Sequence, residues 1–267
     1  MSNLPLDKIL SILSSIGTFV SAIAAIYAIW LTIIQKRLTY KPEIIITDTN
    51  ISMKTSNYNG FDDDIIQTPK NKIMRTKFTN IGLGAAISIK YWWSFDYQKS
   101  LKKYHSLFID TLRYKDESIT TEFIENCIFI HNKNTTSIHT IKEYSEIDFS
   151  LPYSVDKEST EILIDELPIT IMLNNFYLLM KSRDNPVQSI NGPILSIEYL
   201  DIEGRKNLTK WETKLKMRRG ELSIDNMQAD FSLEFTPIPR GWTARGLKKI
   251  REVSTGIKIK INQSKYR

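Results

Sequence analysis

The feature that most constrains this chain is residues 9–34, ILSILSSIGTFVSAIAAIYAIWLTII, a run with no charged side chain. A helix rises about 1.5 Å per residue, so about 20 apolar residues cross a hydrocarbon core of about 30 Å. A secretory signal has a shorter apolar region and a small-residue cleavage site, whereas this run ends in bulky residues. The sequence therefore predicts that residues 1–37 form a short tail and a retained transmembrane helix.

Charged residues flank this run unequally. Lys8 before the run is balanced by Asp7, whereas Lys36, Arg37 and Lys41 all follow it. Positively charged flanks remain on the cytoplasmic side of a membrane during insertion. We therefore expect a single-pass protein with its amino tail outside and the rest of the chain in the cytoplasm.

Small residues recur along one side of the predicted helix. Gly17, Ser21 and Ala25 are spaced four apart, and Ser14 and Thr18 lie on an adjacent stripe. Small residues at this spacing let two helix backbones approach closely, which favours a homo-oligomer in the membrane. The alternative is that these residue types are simply common in membrane helices. In an oligomer, the hydroxyl-bearing face would suit the lining of a small pore.

The rest of the chain has the composition of a globular domain. Its length fits one domain, since domains run from about 50 to 250 residues. Charged residues make up 25% and hydrophobic residues 42% of the chain, which are globular values. The single cysteine, Cys127, excludes an internal disulfide framework and fits a reducing cytoplasm. We place this domain at residues 38–239.

Short runs that alternate polar and apolar residues predict a mainly β domain. The clearest is a hairpin of residues 194–200 and 208–216 around a turn at 201–205. Further strands are expected at residues 43–47, 72–78, 138–152 and 227–236. A short helix with an asparagine cap is expected at residues 174–182. In residues 107–132 the apolar side chains fit neither the helical period of about 3.6 residues nor the strand period of about two.

The chain lacks the familiar catalytic motifs. It contains no nucleophile elbow, His-Glu-X-X-His, Walker loop, kinase loop or Cys-X-X-Cys pair. Three histidines and one cysteine leave few groups for acid–base or covalent chemistry near neutral pH. Cys127 and His131 are spaced for one helix face, but two ligands do not complete a zinc site. We expect a non-enzymatic protein with no metal and no cofactor.

The carboxyl-terminal segment, residues 240–267, is strongly basic, with nine Lys or Arg against one carboxylate. Such a segment binds anionic headgroups, binds nucleic-acid phosphates, or stays solvated. With the cations that follow the apolar run, it defines the candidate membrane or nucleic-acid surface. The residues of that surface are Lys36, Arg37, Lys41, Arg240, Arg245, Lys248, Lys249 and Arg251.

Two short motifs carry a resemblance to a known class. Residues 80–86 read Asn-X-Gly-X-Gly-X-Ala before an aromatic-rich strand, and residues 199–204 read Tyr-X-Asp-X-X-Gly within the predicted hairpin. With the apolar run, they resemble uncharacterised bacterial single-pass membrane proteins of the kind found as membrane effectors in antiphage defence systems. The resemblance implies an immunoglobulin-like antiparallel β-sandwich, here with short helical insertions, and it does not cover the basic extension.

What the resemblance implies is an effector or sensor at the bacterial inner membrane. Its cytoplasmic sandwich would bind a protein or ribonucleoprotein partner, and its helix would self-associate and perturb the membrane lipid. Two alternatives stay open. One is an envelope scaffold with a periplasmic sandwich, and orientation distinguishes it. The other is a membrane-tethered nucleic-acid binder that uses residues 205–219 and the basic extension.

Overall fold

A computed structural model describes residues 6–56, 60–67, 73–112, 119–132, 136–182, 187–222 and 226–239. The predicted basic extension lies outside the described residues, together with Arg240, Arg245, Lys248, Lys249 and Arg251. The elements are α1 (Leu6–Thr39), β1 (Ile44–Ile46), β2 (Thr49–Ser56), β3 (Arg75–Asn80), β4 (Ala86–Ser94), α2 (Tyr97–Leu112), β5 (Thr120–Ile124), β6 (Cys127–His131), β7 (Thr136–Thr140), β8 (Ser145–Ser150), β9 (Thr160–Leu163), α3 (Glu166–Lys181), β10 (Ser189–Leu200), β11 (Lys206–Leu222) and β12 (Asn226–Pro237).

Helix α1 is long and apolar enough to cross a membrane, with a candidate span of Leu10–Arg37. The rest of the protein buries none of the apolar part of this span. A helix that is apolar on all sides and uncovered by protein is costly in water, whereas hydrocarbon accommodates it. The structure therefore agrees with the predicted membrane anchor.

The largest sheet has six strands in the order β2-β12-β11-β10-β4-β8, and every neighbouring pair is antiparallel. At its centre, β10 and β11 form the predicted hairpin. Asp201 closes the turn between them, accepting hydrogen bonds from the backbone nitrogens of Glu203 and Arg205 at 3.0 and 2.9 Å. Gly204 has a φ of +76° there, a conformation that glycine adopts without strain. The prediction of a mainly β, antiparallel domain is confirmed.

A smaller sheet of order β1-β3-β9 covers the end of the large sheet nearest α1. The two sheets share one core, in which Phe78 and Ile162 of the small sheet pack with Ile197 and Trp211 of the large one. All four side chains are buried. The two antiparallel sheets thus share one buried core.

The same face of the large sheet carries a second core further from α1. Leu215 and Phe231 of the sheet pack there against α3, and α2 and the meander β5-β6-β7 complete the cluster. Every residue from Leu167 to Leu178 is buried. Burial on all sides explains why α3 has no polar face.

The helix predicted at residues 174–182 is longer than expected and begins at Glu166. Pro168 is compatible with this helix because it lies in the first turn, where backbone N–H groups have no intrahelical acceptor. Asn174 is no cap, because its side chain is buried in mid-helix and bonds the backbone of Asp62. The two helical insertions, α2 and α3, are each 16 residues long and belong to the core.

Candidate functional site at the membrane-proximal end of the domain

The connection between the helix and the domain is short and tightly packed. Helix α1 ends at Thr39, and β1 begins at Ile44. The backbone between them lies against the β3–β4 loop, so closely that a Cβ at Gly84 would overlap the carbonyl oxygen of Tyr40. A Cβ at Gly82 would overlap the carbonyl oxygen of Lys41. Glycine is needed at both positions for this approach. We call residues 40–43 and the loop 81–84 the junction.

The side chain of Asn80 joins the parts of the junction. Its amide oxygen accepts hydrogen bonds from the backbone nitrogens of Glu43 and Gly82 at 3.2 and 3.1 Å. Its amide nitrogen donates to the carbonyl oxygens of Gly84 and Ser150 at 2.7 and 3.2 Å. Asn80 is 1% exposed, so these bonds are shielded from water and losing one leaves a buried group unpaired.

Two further contacts hold the end of α1 on the domain. The hydroxyl of Tyr199 donates to the carbonyl oxygen of Pro42 at 3.2 Å. In the last turn of α1, Arg37 Nε lies 3.6 Å from Glu203 in the β10–β11 turn. The helix and the β-rich domain therefore meet through fixed contacts rather than through a solvated tether.

The predicted self-association residues all lie along α1 and are exposed. Thr18 and Ser21 donate their hydroxyls to the carbonyl oxygens of Ser14 and Gly17 in the same helix, at 2.9 and 2.8 Å. These hydroxyls therefore need no partner from another helix in hydrocarbon. No atom lies within 4 Å of a Cβ built at Gly17. The face with Ala25 is open to a second helix, and its self-association stays a prediction.

The three cations predicted at the membrane surface lie at the end of α1. Lys36, Arg37 and Lys41 are exposed around the junction. Beside them a cleft of about 570 Å³ lies between the linker and the start of β11, where Lys210 and Trp211 form part of its wall. These positions suit contact with lipid headgroups, since the apolar run ends only a few residues earlier.

A second hollow, of about 180 Å³, lies on the side of the domain between β4 and the start of α3. Trp93 lines it and donates its indole N–H to the carbonyl oxygen of Leu163 at 3.0 Å. Asp165 lies at its edge and accepts a hydrogen bond from the hydroxyl of Tyr97 at 3.0 Å. Burial raises the pKa of the Asp165 carboxyl, and the Tyr97 bond offsets this only in part. Burial likewise raises the pKa of Tyr97.

A serine, an aspartate and a histidine meet where loop 60–67 contacts β7. Asp63 accepts a hydrogen bond from Ser137 and lies 3.1 Å from His139 Nε2. The carboxylate stands between the other two side chains, whereas nucleophilic catalysis needs the imidazole next to the hydroxyl. The cluster therefore fastens the loop to the sheet and does not form a triad.

Cys127 and His131 lie at the two ends of strand β6 rather than on a helix. Cys127 Sγ is 3.9 Å from Thr140 Oγ1, and His131 Nδ1 is 3.0 Å from Thr136 Oγ1. Among the residues that the structure describes, no group of three or more His, Cys, Asp or Glu side chains could hold a metal ion.

The outer face of the large sheet carries a column of cations along β11. Side chains alternate along this strand, so Trp211, Thr213 and Leu215 point inward and are buried. The exposed outward positions include Lys206, Lys210, Lys214, Lys216 and Arg218. Lys206 pairs with Glu198 at 2.8 Å, and Lys216 with Glu234 at 3.5 Å. We call these five residues the cationic column.

Comparison of the chain with protein-family models, with curated proteins and with solved structures finds no match. Sequence reasoning gave no role to Asn80 or Tyr199, although they begin the motifs at residues 80–86 and 199–204, and it did not single out Asp165. The signal for Asn80 was available in the Asn-X-Gly-X-Gly motif, whereas Asp165 gains its environment only from packing against Tyr97.

Proposed function

We propose that this chain is a non-enzymatic, single-pass membrane protein whose β-rich domain works at the membrane surface by binding a partner. The observation that carries the proposal is the combination of an uncovered apolar helix with a junction that is fixed by Asn80 and Tyr199. A rigid link of this kind passes a change in the position of the domain directly to the helix. A partner that gathers domains would thereby gather helices.

The more specific form of the proposal is an effector or sensor of bacterial antiphage defence. In this form α1 crosses the inner membrane, the domain is cytoplasmic and immunoglobulin-like, and a protein or ribonucleoprotein is the partner. The packing of two antiparallel sheets around Phe78 and Trp211 supports the sandwich. The cations at the end of α1, Lys36, Arg37 and Lys41, support the cytoplasmic orientation. Assembly of α1 along Gly17 and Ser21 would then permeabilise the membrane.

Leakage of a membrane-impermeant dye from expressing cells tests this proposal. We expect the wild-type chain to cause leakage and Gly17→Ile to abolish it, because the larger side chain blocks close approach of two helices. Nothing in the chain lies within 4 Å of that position, so the substitution leaves the folded monomer intact. Ile23→Phe is the control, since it also enlarges an exposed side chain but lies on the side of the helix opposite the stripes of Gly17 and Thr18. Equal leakage from both variants, or none from the wild type at equal expression, would contradict the proposal.

A second candidate function is membrane-tethered binding of nucleic acid. The observation that favours it is the cationic column, in which Lys210 and Lys214 are exposed on one face of the strand with Glu212 between them. Lysines spaced along a strand can follow a phosphate backbone. The column starts beside the junction at Lys206 and runs away from the membrane, so a long polyanion could contact it while the helix stays anchored.

A further inference from the structure

We infer that the membrane-proximal end of the domain is itself a membrane-binding surface, which enters the headgroup layer of the bilayer that α1 crosses. This inference rests on the proposed membrane anchoring of α1. The surface consists of apolar side chains from the linker and from three loops. We call it the docking rim, and its members are Tyr40, Ile81, Leu83, Leu151, Tyr153, Val155 and Ile202.

The side chains of the docking rim are unusually exposed for their type. Their exposed fractions range from 39% for Leu151 to 71% for Val155. Exposed apolar residues are ordinary when scattered singly, whereas several at one end of a domain indicate an interaction surface. Here they gather at one end although they come from four separate segments of the chain.

Hydrogen bonds and packing place all four segments around the exit of α1. Loop 81–84 lies directly against the backbone of Tyr40 and Lys41. Asn80 holds the segment after β8 next to this loop. Its side-chain amide donates to the carbonyl oxygen of Ser150 at 3.2 Å, and its backbone carbonyl oxygen accepts from the backbone nitrogen of Tyr153 at 2.8 Å. The β10–β11 turn joins it through the Arg37–Glu203 contact at 3.6 Å.

The length of α1 sets how deep in the bilayer the membrane-proximal end of the domain lies. The apolar run ends at Ile34, and five residues further, at Thr39, the helix has risen about 8 Å. The headgroup layer on each side of the hydrocarbon core is roughly 5–8 Å thick. The turn that touches Arg37 therefore lies within this layer, and the loops that touch Tyr40 lie at its outer edge. Tyr40 and Tyr153 are residues that favour this layer.

Apolar contact rather than charge is the basis of the docking. The cations near the rim, Lys36, Arg37, Lys41, Arg205, Lys206 and Lys210, outnumber the carboxylates Glu43, Glu198, Asp201 and Glu203 by two. Lys206 is paired with Glu198 at 2.8 Å. Glu203 already faces both Arg37 and Arg205, at 3.6 and 3.0 Å. The occupant is therefore the interface of the bilayer itself, and the contact should depend little on the fraction of anionic lipid.

Site-directed fluorescence on the full chain in lipid vesicles tests the inference. Cys127, the single cysteine, is first changed to Ser, or to Ala if the serine variant does not fold. A polarity-sensitive fluorophore is then attached to a cysteine placed at Leu83, Tyr153 or Ile202. The matched controls are Ile109 and Ile138, which are 57% and 62% exposed on elements that pack on the second core, far from the junction. Lipids with a spin label in the headgroup serve as quenchers.

We expect the rim labels to be quenched at least about twofold more than the control labels, because the headgroup layer reaches only the rim. The same quenching is expected in zwitterionic and in anionic vesicles. Equal quenching at rim and control positions would overturn the inference. Rim labels that report a less polar environment without being quenched would also overturn it, because they would indicate a second copy as the occupant.

Extraction of the same vesicles with alkaline carbonate separates this inference from the anchoring on which it rests. A chain that stays in the membrane while its rim labels are unquenched contradicts the docking rim alone. A chain that the carbonate releases contradicts the anchor and, with it, the docking rim.

Discussion

The contacts of a few residues fix how the domain meets its helix. Asn80 is buried and bonds both the linker and the loop after β8. Gly84 lets the linker pass because it has no side chain. These two residues convert a short connection into a rigid one.

Gly84→Ala should destabilise the domain by about 1–3 kcal/mol, because the added methyl group overlaps the carbonyl oxygen of Tyr40 and the backbone must move. Thermal unfolding of the full chain in detergent measures this as a lower melting temperature. Gly17→Ala is the control, since its methyl group meets nothing within 4 Å and should leave the domain unchanged. Equal melting temperatures for the two variants would disprove the close packing of the junction.

Asp165 should make the stability of the domain depend on pH. Burial raises its folded-state pKa above the ordinary value of 3.8. The neutral Asp165 carboxyl therefore stabilises the folded domain most at pH values below 3.8. This stabilisation is lost as the pH rises through the folded-state pKa. The side chain of Asp165→Asn carries no charge. The melting temperature of this variant should therefore rise relative to that of wild type as the pH increases from about 4 to about 7.

The melting temperature of each chain at several pH values checks this expectation. The exposed Asp148 on β8, changed to Asn, is the control and should show a smaller pH-dependent difference from wild type. The gain in melting temperature of Asp165→Asn over wild type should grow with pH. A gain that stays constant over this range, or that shrinks as the pH rises, would contradict a raised pKa of Asp165 in the folded domain. Tyr97, Lys142 and His139 also act on Asp165 and set the size of the effect.

At the scale of elements, strand β11 combines an inner apolar face with an outer cationic one. Charge reversal at Lys210→Glu and Lys214→Glu together should abolish retention of the full chain on single-stranded DNA at low salt if the cationic column binds nucleic acid. Lys99→Glu with Lys103→Glu on α2 is the control, because these residues lie outside the large sheet. Unchanged retention of the β11 variant, or no retention of the wild type at low salt, would eliminate this candidate function.

Local signals decided which elements could be predicted. The β10–β11 hairpin was readable because its turn carries Asp201 and Gly204, which set the chain reversal by themselves. The apolar run was readable because a membrane demands length and lack of charge. Helix α3 was only partly predicted, since a helix that is apolar on all sides has no clear period. Helix α2 was missed although its buried residues Leu101, Tyr104 and Phe108 recur at helical spacing.

The candidate site was harder to predict than the fold. Gly82 and Gly84 belong to the motif at residues 80–86, but the linker that they contact is about 40 residues away in sequence and is brought to them only by packing. The docking rim has no sequence signature at all, because four separate segments form it. The predicted cations at the end of α1 do lie at the junction, whereas the basic extension lies outside the described residues.

At the scale of the whole molecule, one large sheet connects the membrane end to the far end of the domain. The sandwich core lies next to α1, and the core with α2 and α3 lies beyond it. The long strands β11 and β12 belong to the sheet that carries both cores.

The central claim is that α1 crosses the membrane once and holds this domain on the cytoplasmic face. Two fusions at Arg267 test it most directly, one to a reporter active only in the cytoplasm and one to a reporter active only in the periplasm. Our account predicts that the cytoplasmic reporter alone is active and that both fusions stay in the membrane fraction. Activity of the periplasmic reporter alone would contradict it and leave the envelope scaffold as the function to pursue.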